Sequence, residues 1–362
     1  GVPHQRRHTD HADRRGDDRG VIGRREAILG ELEPGAAVAI LRLRSMGDTV
    51  LTTPALALLK QARPDVRVFV VVERPWDELL EGNPDVAGIL MLGRRWETLR
   101  ELRRLRAELC VNLHGGTTSA WLAALSGAQW RAGFAHFRHD FVYNVKIPRA
   151  QEILGRDAAA AVHTAEHLAS AMFYLGVPRS EIPGARLFAG ETGRLYPRRP
   201  YAVLHVAAAF FTKQWPIDRF VEVARWLRQS NGLEPILVAG PGQGELLASL
   251  SEFTSFAGLS IREMMSLIRG AELFVGNDSG PAHVAAAFGV PSVVIFGSSN
   301  SRVWHPWRAR HQVVETAWDC KPCPGDRCYA FEQPRCILSV EVEPVRRAVM
   351  SLLGARTGVA QS

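Results

Sequence analysis

The sequence predicts an α/β protein made of two Rossmann-like, parallel-sheet halves facing a cleft, and three observations predict it. The chain has 362 residues, more than one compact core usually holds, since single cores stop growing near roughly 250–300 residues. Short apolar runs alternate with segments of helical period, the pattern of parallel strands joined by crossover helices. Breakers at Pro178, Pro183 and Gly184 divide that alternation into two series. In sheets of this kind, ligands bind outside the carboxyl ends of the strands.

Residues 1–33 read as a disordered polar tail. They carry seven arginines and seven acids, which sum to zero, and almost no large apolar residue before Val21, too little to offset the entropy of ordering. After Pro34-Gly35, the run Ala36-Ala37-Val38-Ala39-Ile40-Leu41 has the composition of a strand covered on both faces. A turn at 45–48 follows, and Leu51, Ala55, Leu58 and Leu59 then fall at helical spacing within 49–62. The series continues with a strand at 66–72, a short helical stretch at 76–80, a strand at 88–92, an arginine-laden helix at 94–106, a strand at 109–113, and helices at 117–125 and 158–175. The second series places strands at 201–206, 234–239, 273–275 and 292–296, with helices at 217–229, 244–250, 261–269 and 281–288. The expected units are residues 34–185 and 186–340. Residues 341–362 then hold a helix near 344–353, expected to pack back towards the first half, and a frayed end.

A hydrophobic fraction of 46%, aromatics at 8% and charged residues at 22% exclude a wholly disordered or fibrous chain. No stretch approaches the roughly 18 uninterrupted apolar residues of a membrane span, and the first thirty residues lack a secretory apolar run. A cytosolic chain is expected. The formal charge of +7 resides entirely outside the neutral tail. A basic folded body fits nucleic acid, an anionic membrane surface or phosphorylated small ligands, and charge does not choose among them.

Three loops at strand ends carry the chemistry. Arg42-Leu43-Arg44-Ser45-Met46-Gly47-Asp48-Thr49 follows the first strand and opens a helix. Gly47 permits close approach of a ligand or backbone. Asp48 has two readings, a helix cap, for which Asp is well suited, or a base at a strand's carboxyl end. Thr212-Lys213-Gln214-Trp215-Pro216 follows the first strand of the second series. Lys213 is there either a solvated surface lysine or a cation for phosphate oxygens at a helix start. The third loop, Gly276-Asn277-Asp278-Ser279-Gly280-Pro281-Ala282-His283, ends an apolar strand and puts Pro where a first helical turn tolerates it. Hydroxyl and N–H groups at such a helix start suit a diphosphate. His283 is either a ligand contact or a buried, satisfied histidine.

Together these stretches, with Thr53-Pro54-Ala55 after the first of them, resemble glycosyltransferase family 9, which includes the ADP-heptose:lipopolysaccharide heptosyltransferases. The similarity runs through residues 36–350 in the family's order. It implies a GT-B fold, a nucleotide-sugar donor, most simply ADP-heptose, in the second half, and a glycan, glycolipid or glycoside acceptor in the first. Inverting transfer without a metal or cofactor is implied as well. Residue by residue, Asp48 takes the catalytic base position and Ser45, Met46 and Gly47 the acceptor-side loop. Lys213 takes the donor phosphate contact and a catalytic role, and Asn277, Asp278, Ser279, Gly280 and His283 form the donor-binding loop. One departure bears on how the donor is held. Where many members carry a His-Pro-Gly-Ala type run or paired hydroxyl residues, this chain reads His205-Val206-Ala207-Ala208-Ala209. The hydroxyl contacts expected there are absent.

Inverting transfer needs a base for the acceptor hydroxyl and a separate cluster for the charge growing on the departing diphosphate. Asp48 and Lys213 with the 276–282 helix start supply these from opposite walls. The helix at 94–106 holds six arginines against Glu97 and Glu101, as a solvated face or as a surface for an anionic acceptor or membrane, at the cytoplasmic face of an inner membrane if the latter. Cys110 reads as core. Cys320, Cys323, Cys328 and Cys336 fit a structural zinc site, reduced thiols or a disulfide. Two rival functions share parts of this pattern: a nucleotide-sugar 2-epimerase, and a non-enzymatic binder of anionic ligands or nucleic acid. No nucleic-acid-reading module is recognisable, so nucleic acid is not an expected partner.

Overall fold

The structure is a computed structural model that describes residues 28–188, 190, 197 and 199–354. Its first sheet contains β1 (Ala37–Leu41), β2 (Arg67–Val72), β3 (Gly88–Met91), β4 (Leu109–Asn112), β5 (Trp130–Phe134) and β6 (Val145–Ile147), in the order β3-β2-β1-β4-β5-β6. The second contains β7 (Tyr201–His205), β8 (Glu234–Ala239), β9 (Thr254–Ala257), β10 (Leu273–Asn277), β11 (Ser292–Phe296) and β12 (His311–Glu315), in the order β12-β11-β10-β7-β8-β9. Every pairing is parallel. Counted from its own first strand, each sheet has the doubly wound order 3-2-1-4-5-6.

The helices are α1 (Ile28–Glu31), α2 (Met46–Ala62), α3 (Arg95–Arg104), α4 (Thr117–Leu125), α5 (Ala150–Leu154), α6 (Thr164–Leu175), α7 (Ile217–Asn231), α8 (Ile261–Arg269), α9 (Gly280–Ala287), α10 (Ser301–Trp304), α11 (Arg335–Leu338) and α12 (Val342–Gly354). Strand alternation sorts the core as the period of two requires. Val38 and Ile40 face the layer formed by α2 and α6, while Ala37, Ala39 and Leu41 face the opposite layer with Leu99, Leu102 and Ala123. In the second half, Val293 and Ile295 point one way, Val294 and Phe296 the other.

α2 carries Pro54 in its interior, where a proline normally leaves the carbonyl four residues back without its N–H donor. That carbonyl belongs to Val50, and the Thr53 hydroxyl donates to it at 2.8 Å. The same hydroxyl accepts the backbone N–H of Arg186 at 3.0 Å, so it also fastens the segment entering the second half. Thr53→Val keeps the shape but leaves a buried carbonyl and an N–H short of partners. It should destabilise the protein by about 1–3 kcal/mol, read from the urea unfolding midpoint. A midpoint equal to wild type would contradict this role.

Several sequence expectations are corrected here. The tail reading of residues 1–33 stops short of Ile28, because α1 forms and Ile28, Leu29 and Leu32 are buried in the first core. Three apolar side chains supply the burial that the preceding residues lack; residues 1–27 lie outside the described residues. α12 does not return to the first half. Val342, Val345, Val349 and Leu352 are buried against β11, β12 and α7, since its apolar stripe continues the core of the sheet from which it emerges. The frayed end, 355–362, lies outside the described residues. The 244–250 helix reduces to one 3-10 turn, Gly244–Leu247. The helix expected from residue 158 begins at Thr164, where His163 caps it.

Two buried imidazoles, His163 and His205, and a half-buried one, His167, make the fold acid-sensitive. Burial pushes His163, His167 and His205 down to about 4. His163 accepts the Ala165 N–H through Nδ1 at 3.1 Å and bonds the His305 carbonyl through Nε2 at 2.8 Å, so a second ring proton would meet a donor. Below an ordinary value near 6.5 the unfolded chain gains protons that the folded chain refuses, so stability falls as pH drops from there towards about 4. The urea midpoint at about pH 5 should lie clearly below that at about pH 7, and equal midpoints would contradict the assignment.

Candidate functional site

A 3-2-1-4-5-6 order reverses direction between β1 and β4 in the first sheet and between β7 and β10 in the second. Crevices open at those two points, beyond the carboxyl ends of the strands. Each of the three loops chosen from the sequence leaves one of these four strands.

The first wall is built from the loops after β1 and β4. Asp48 sits in the first turn of α2, and its Oδ2 accepts the Ser45 N–H at 3.2 Å and the Ser45 hydroxyl at 3.0 Å. Its Oδ1 accepts a hydrogen bond from Arg42 Nη2. Arg42 is buried, and its Nη1 donates to the Leu113 carbonyl at the end of β4. One guanidinium therefore joins both sides of the crevice to the carboxylate. Burial pulls the Arg42 pKa down while Asp48 pulls it up. Asp48 thus makes a cap contact, yet its side chain keeps 21% of its exposure, enough for a substrate to reach. His114, after β4, lies near Arg42, Arg44 and Asp48; burial and the two arginines hold its pKa below the usual imidazole range.

The second wall is built from the loops after β7, β10 and β11. Lys213 lies in a 3-10 turn, Phe211–Lys213, and its Nζ donates to Asp278 Oδ2 at 2.8 Å. Ser299 donates its hydroxyl to the same oxygen. Asp278 is 6% exposed and the lysine side chain 22%, so the cation reaches the crevice and the carboxylate stands behind it. Asn277 is fully buried: Oδ1 accepts the Trp215 N–H at 2.9 Å, and Nδ2 donates to the carbonyls of Val206 at 3.2 Å and Ala207 at 3.3 Å. It staples the loop after β7 to β10. The Ser279 hydroxyl donates to the Asn277 carbonyl at 3.2 Å, and Ser279 and Gly280 remain partly exposed at the start of α9.

The two walls touch where α2 packs on α9. A Cβ on Gly47 would lie 2.7 Å from His283 Cδ2, and one on Gly280 would lie 2.6 Å from Met46 Cβ, so only glycine admits this approach at either position. His283 is buried there, and its Nδ1 has no hydrogen-bond partner among the described residues. Burial lowers its pKa, against upward pulls from Asp278 and Asp48. Its imidazole therefore stands between the two walls.

Two of the residues expected in the donor-binding loop make protein contacts with their side chains. Asn277 and Asp278 spend their side chains on protein partners, because a buried amide needs all its bonds satisfied and a carboxylate next to a diphosphate would repel it. Three participants were not singled out: Arg42, Ser299 and His114. Each is a polar residue just past the end of a fully buried strand, and that position was the readable signal.

The cysteine-rich segment borders the second wall. The Cys323 N–H donates to the Ser298 carbonyl at 3.0 Å, Thr212 donates its hydroxyl to the Gly325 carbonyl, and a Cβ on Gly325 would lie 3.8 Å from Lys213 Cε. Cys320 is exposed, Cys323 and Cys328 are half-buried and Cys336 is buried, all as free thiols. Among the described residues no group of three or more His, Cys, Asp or Glu side chains converges to hold a metal, so the zinc reading finds no such geometry. Cys110 is core, its thiol pushed up to about 12 by burial.

Two doubly wound sheets facing across a crevice, a carboxylate on one wall and a tethered lysine on the other define a GT-B glycosyltransferase. Residues 95–331 match glycosyltransferase family 9 (heptosyltransferase), and the chain belongs to that family. It is 26% identical over 293 residues to lipopolysaccharide heptosyltransferase 3 of Escherichia coli K12, covering 73% of this chain and 83% of that one. To lipopolysaccharide heptosyltransferase 1 of Pseudomonas aeruginosa it is 26% identical over 311 residues, 80% and 87% of the two chains. Among solved structures, the E. coli ADP-heptose lps heptosyltransferase II superposes with a TM-score of 0.73 at 19% identity, over 89% of this chain and 99% of that one. Family membership makes the protein a glycosyltransferase and sets aside the epimerase and non-enzymatic readings. Among the described residues no helix is long and apolar enough to cross a membrane.

Proposed function

We propose that the protein transfers heptose from ADP-heptose to a hydroxyl of a glycan or glycolipid acceptor, with inversion at the anomeric carbon and without a metal, as in the assembly of a lipopolysaccharide core. The observation that carries this reading is the pairing, across the Gly47–His283 contact, of the Asp48 carboxylate oriented by Arg42 and Ser45 with the Lys213 ammonium held by Asp278. The first half takes the acceptor and the second the donor. Asp48 removes the acceptor's proton as its oxygen attacks the anomeric carbon from the face opposite the leaving group. The departing ADP gathers negative charge, which Lys213 and the N–H groups at the start of α9 stabilise. A fixed cation and a helix dipole there do the electrostatic work that a divalent ion does elsewhere. The names of the curated relatives support heptose, while Ala207, Ala208 and Ala209 leave the donor to be held by backbone rather than by hydroxyl side chains. A lipid-linked acceptor would draw the enzyme to the cytoplasmic face of a membrane.

The test is incubation with ADP-heptose and truncated lipopolysaccharide acceptors, in buffer with a chelator, with mass spectrometry of the product and assignment of the new linkage by NMR. Release of ADP with formation of an inverted glycoside is expected. Retained configuration, dependence on added metal, or preference for a uridine donor would overturn the corresponding part.

A further inference from the structure

The outer face of the first half carries a surface that the transfer chemistry does not use. α3 is fixed by Thr98, Leu99 and Leu102, which are buried. Beside the exposed Glu97 and Glu101, α3 exposes five arginines: Arg95, Arg100, Arg103 and Arg104, with Arg106 just beyond. None of these five is in an ion pair among the described residues. Next to them large apolar side chains stand in solvent: Trp96 at 77% exposure, Phe141 at 68%, Trp121 at 50% and Leu125 at 42%. Trp96 and Trp121 flank a groove of about 290 Å³ between α3 and α4, floored by Leu99 and Leu122. The other side of Trp96 opens onto a basin of about 540 Å³ lined by Arg100, Arg103, Arg104 and Arg106. Arg103 also ties the two helices by donating to the Leu125 carbonyl at 2.7 Å. Phe141 lies in a 3-10 turn, Asp140–Val142, that packs against α4.

We propose that this face is a docking surface for an anionic phospholipid bilayer. Aromatic and aliphatic tips that project between unpaired arginines fit a headgroup interface, where rings sit at the boundary and guanidinium groups meet phosphates. The alternatives fit the charge less well. In a two-fold contact between copies of this chain the arginine cluster would face itself. The placement also serves the reaction: α3 and α4 begin at the carboxyl ends of β3 and β4, so Trp96 and Trp121 lie towards the same end of the strands as Asp48, which follows β1. A membrane met there would present a lipid-linked acceptor to the first wall. This purpose rests on the glycolipid reading above; the binding itself does not.

Co-sedimentation with vesicles tests it, using phosphatidylcholine alone and phosphatidylcholine with about one third phosphatidylglycerol. The protein should bind the anionic vesicles, and added salt should weaken the binding. Two independent variants, Arg100→Glu/Arg104→Glu and Trp96→Ser/Trp121→Ser, should each lower partitioning by about tenfold or more. Both should keep wild-type circular dichroism and ADP affinity by calorimetry, since neither touches the crevice. Equal binding to neutral and anionic vesicles, or variants that partition like wild type, would overturn the proposal. So would a wild-type dimer that Trp96→Ser/Trp121→Ser makes monomeric without changing vesicle binding, because the face would then be a self-interface. If ADP fails to bind the wild type while vesicles bind, the transferase reading falls and the surface stands. The reverse pattern removes only the surface.

Discussion

Asp48→Asn should lower turnover by about a hundredfold to ten-thousandfold while ADP binding stays within a factor of a few, the range expected when a general base is lost. The substitution is almost isosteric, and the amide oxygen can still accept from Arg42 Nη2. The new NH₂ group would then face Ser45, whose hydroxyl can turn to accept but whose backbone N–H cannot. The structural cost is thus one cap contact, typically about 1 kcal/mol. That separates the two readings of the residue. If Asp48 only caps α2, the variant loses a little thermal stability and transfers sugar normally. If it is the base, turnover collapses at a melting temperature only slightly lowered. Calorimetric titration with ADP, a melting curve and single-turnover transfer measured on one preparation decide between them.

The reason sequence alone left Asp48 undecided is visible in its contacts. Ser45 is the N-cap of α2 and Asp48 the N3 residue of its capping box, a contact that spacing alone allows; the contact that favours the base reading is with Arg42, which is held by Leu113 on the far side of the first sheet's crevice, 71 positions away. Local pattern carries no such pairing. The same holds for Lys213, whose anchor Asp278 follows another strand, and Asp278 in turn accepts from Ser299, which follows a third. Asn277 was grouped with its loop neighbours by adjacency, yet it faces inward at the end of β10 while Ser279 and Gly280 face the crevice. Alternation along a strand contains that information, although only once the strand's end is known.

The sheets were legible where strands are covered on both faces. β1, β2, β4, β7, β8, β10 and β11 are apolar runs because helices shield both sides. The strands that went unread, β5, β6, β9 and β12, are short and polar-laced: Trp130-Arg131-Ala132-Gly133-Phe134 and Val145-Lys146-Ile147 each place a charge in the run. β6, β9 and β12 lie at sheet edges, as β3 does, where one side of the ladder is open and polar residues help to discourage further pairing. The partner of α12 was misjudged for a related reason. An amphipathic stripe shows that a helix buries one face, without saying which of two adjacent cores receives it.

Lys213→Ala should cost turnover about a hundred- to a thousandfold, by analogy with removal of one donor from an oxyanion site, and unlike Asp48→Asn it should also weaken ADP binding. The ammonium is the one side-chain cation placed at this wall by the described contacts, and the diphosphate carries the charge that grows as the glycosidic bond breaks. The effect has a second source. Removing the lysine leaves the buried Asp278 side chain with the Ser299 hydroxyl as its one hydrogen-bond partner among the described residues, and an uncompensated buried carboxylate both destabilises the loop and repels a diphosphate. Asp278→Asn separates the two. It removes the negative charge of the tether while keeping the cation, since an amide oxygen can still accept from Lys213. If the lysine acts by direct contact and Asp278 by positioning it, Asp278→Asn retains or tightens ADP binding and loses turnover modestly, while Lys213→Ala loses both. In the double variant the buried charge is gone, so part of the stability lost in Lys213→Ala should return while turnover stays low. ADP titrations and melting curves on the three variants read these differences. Wild-type ADP affinity in Lys213→Ala would remove the lysine from the donor site and with it the electrostatic half of the mechanism.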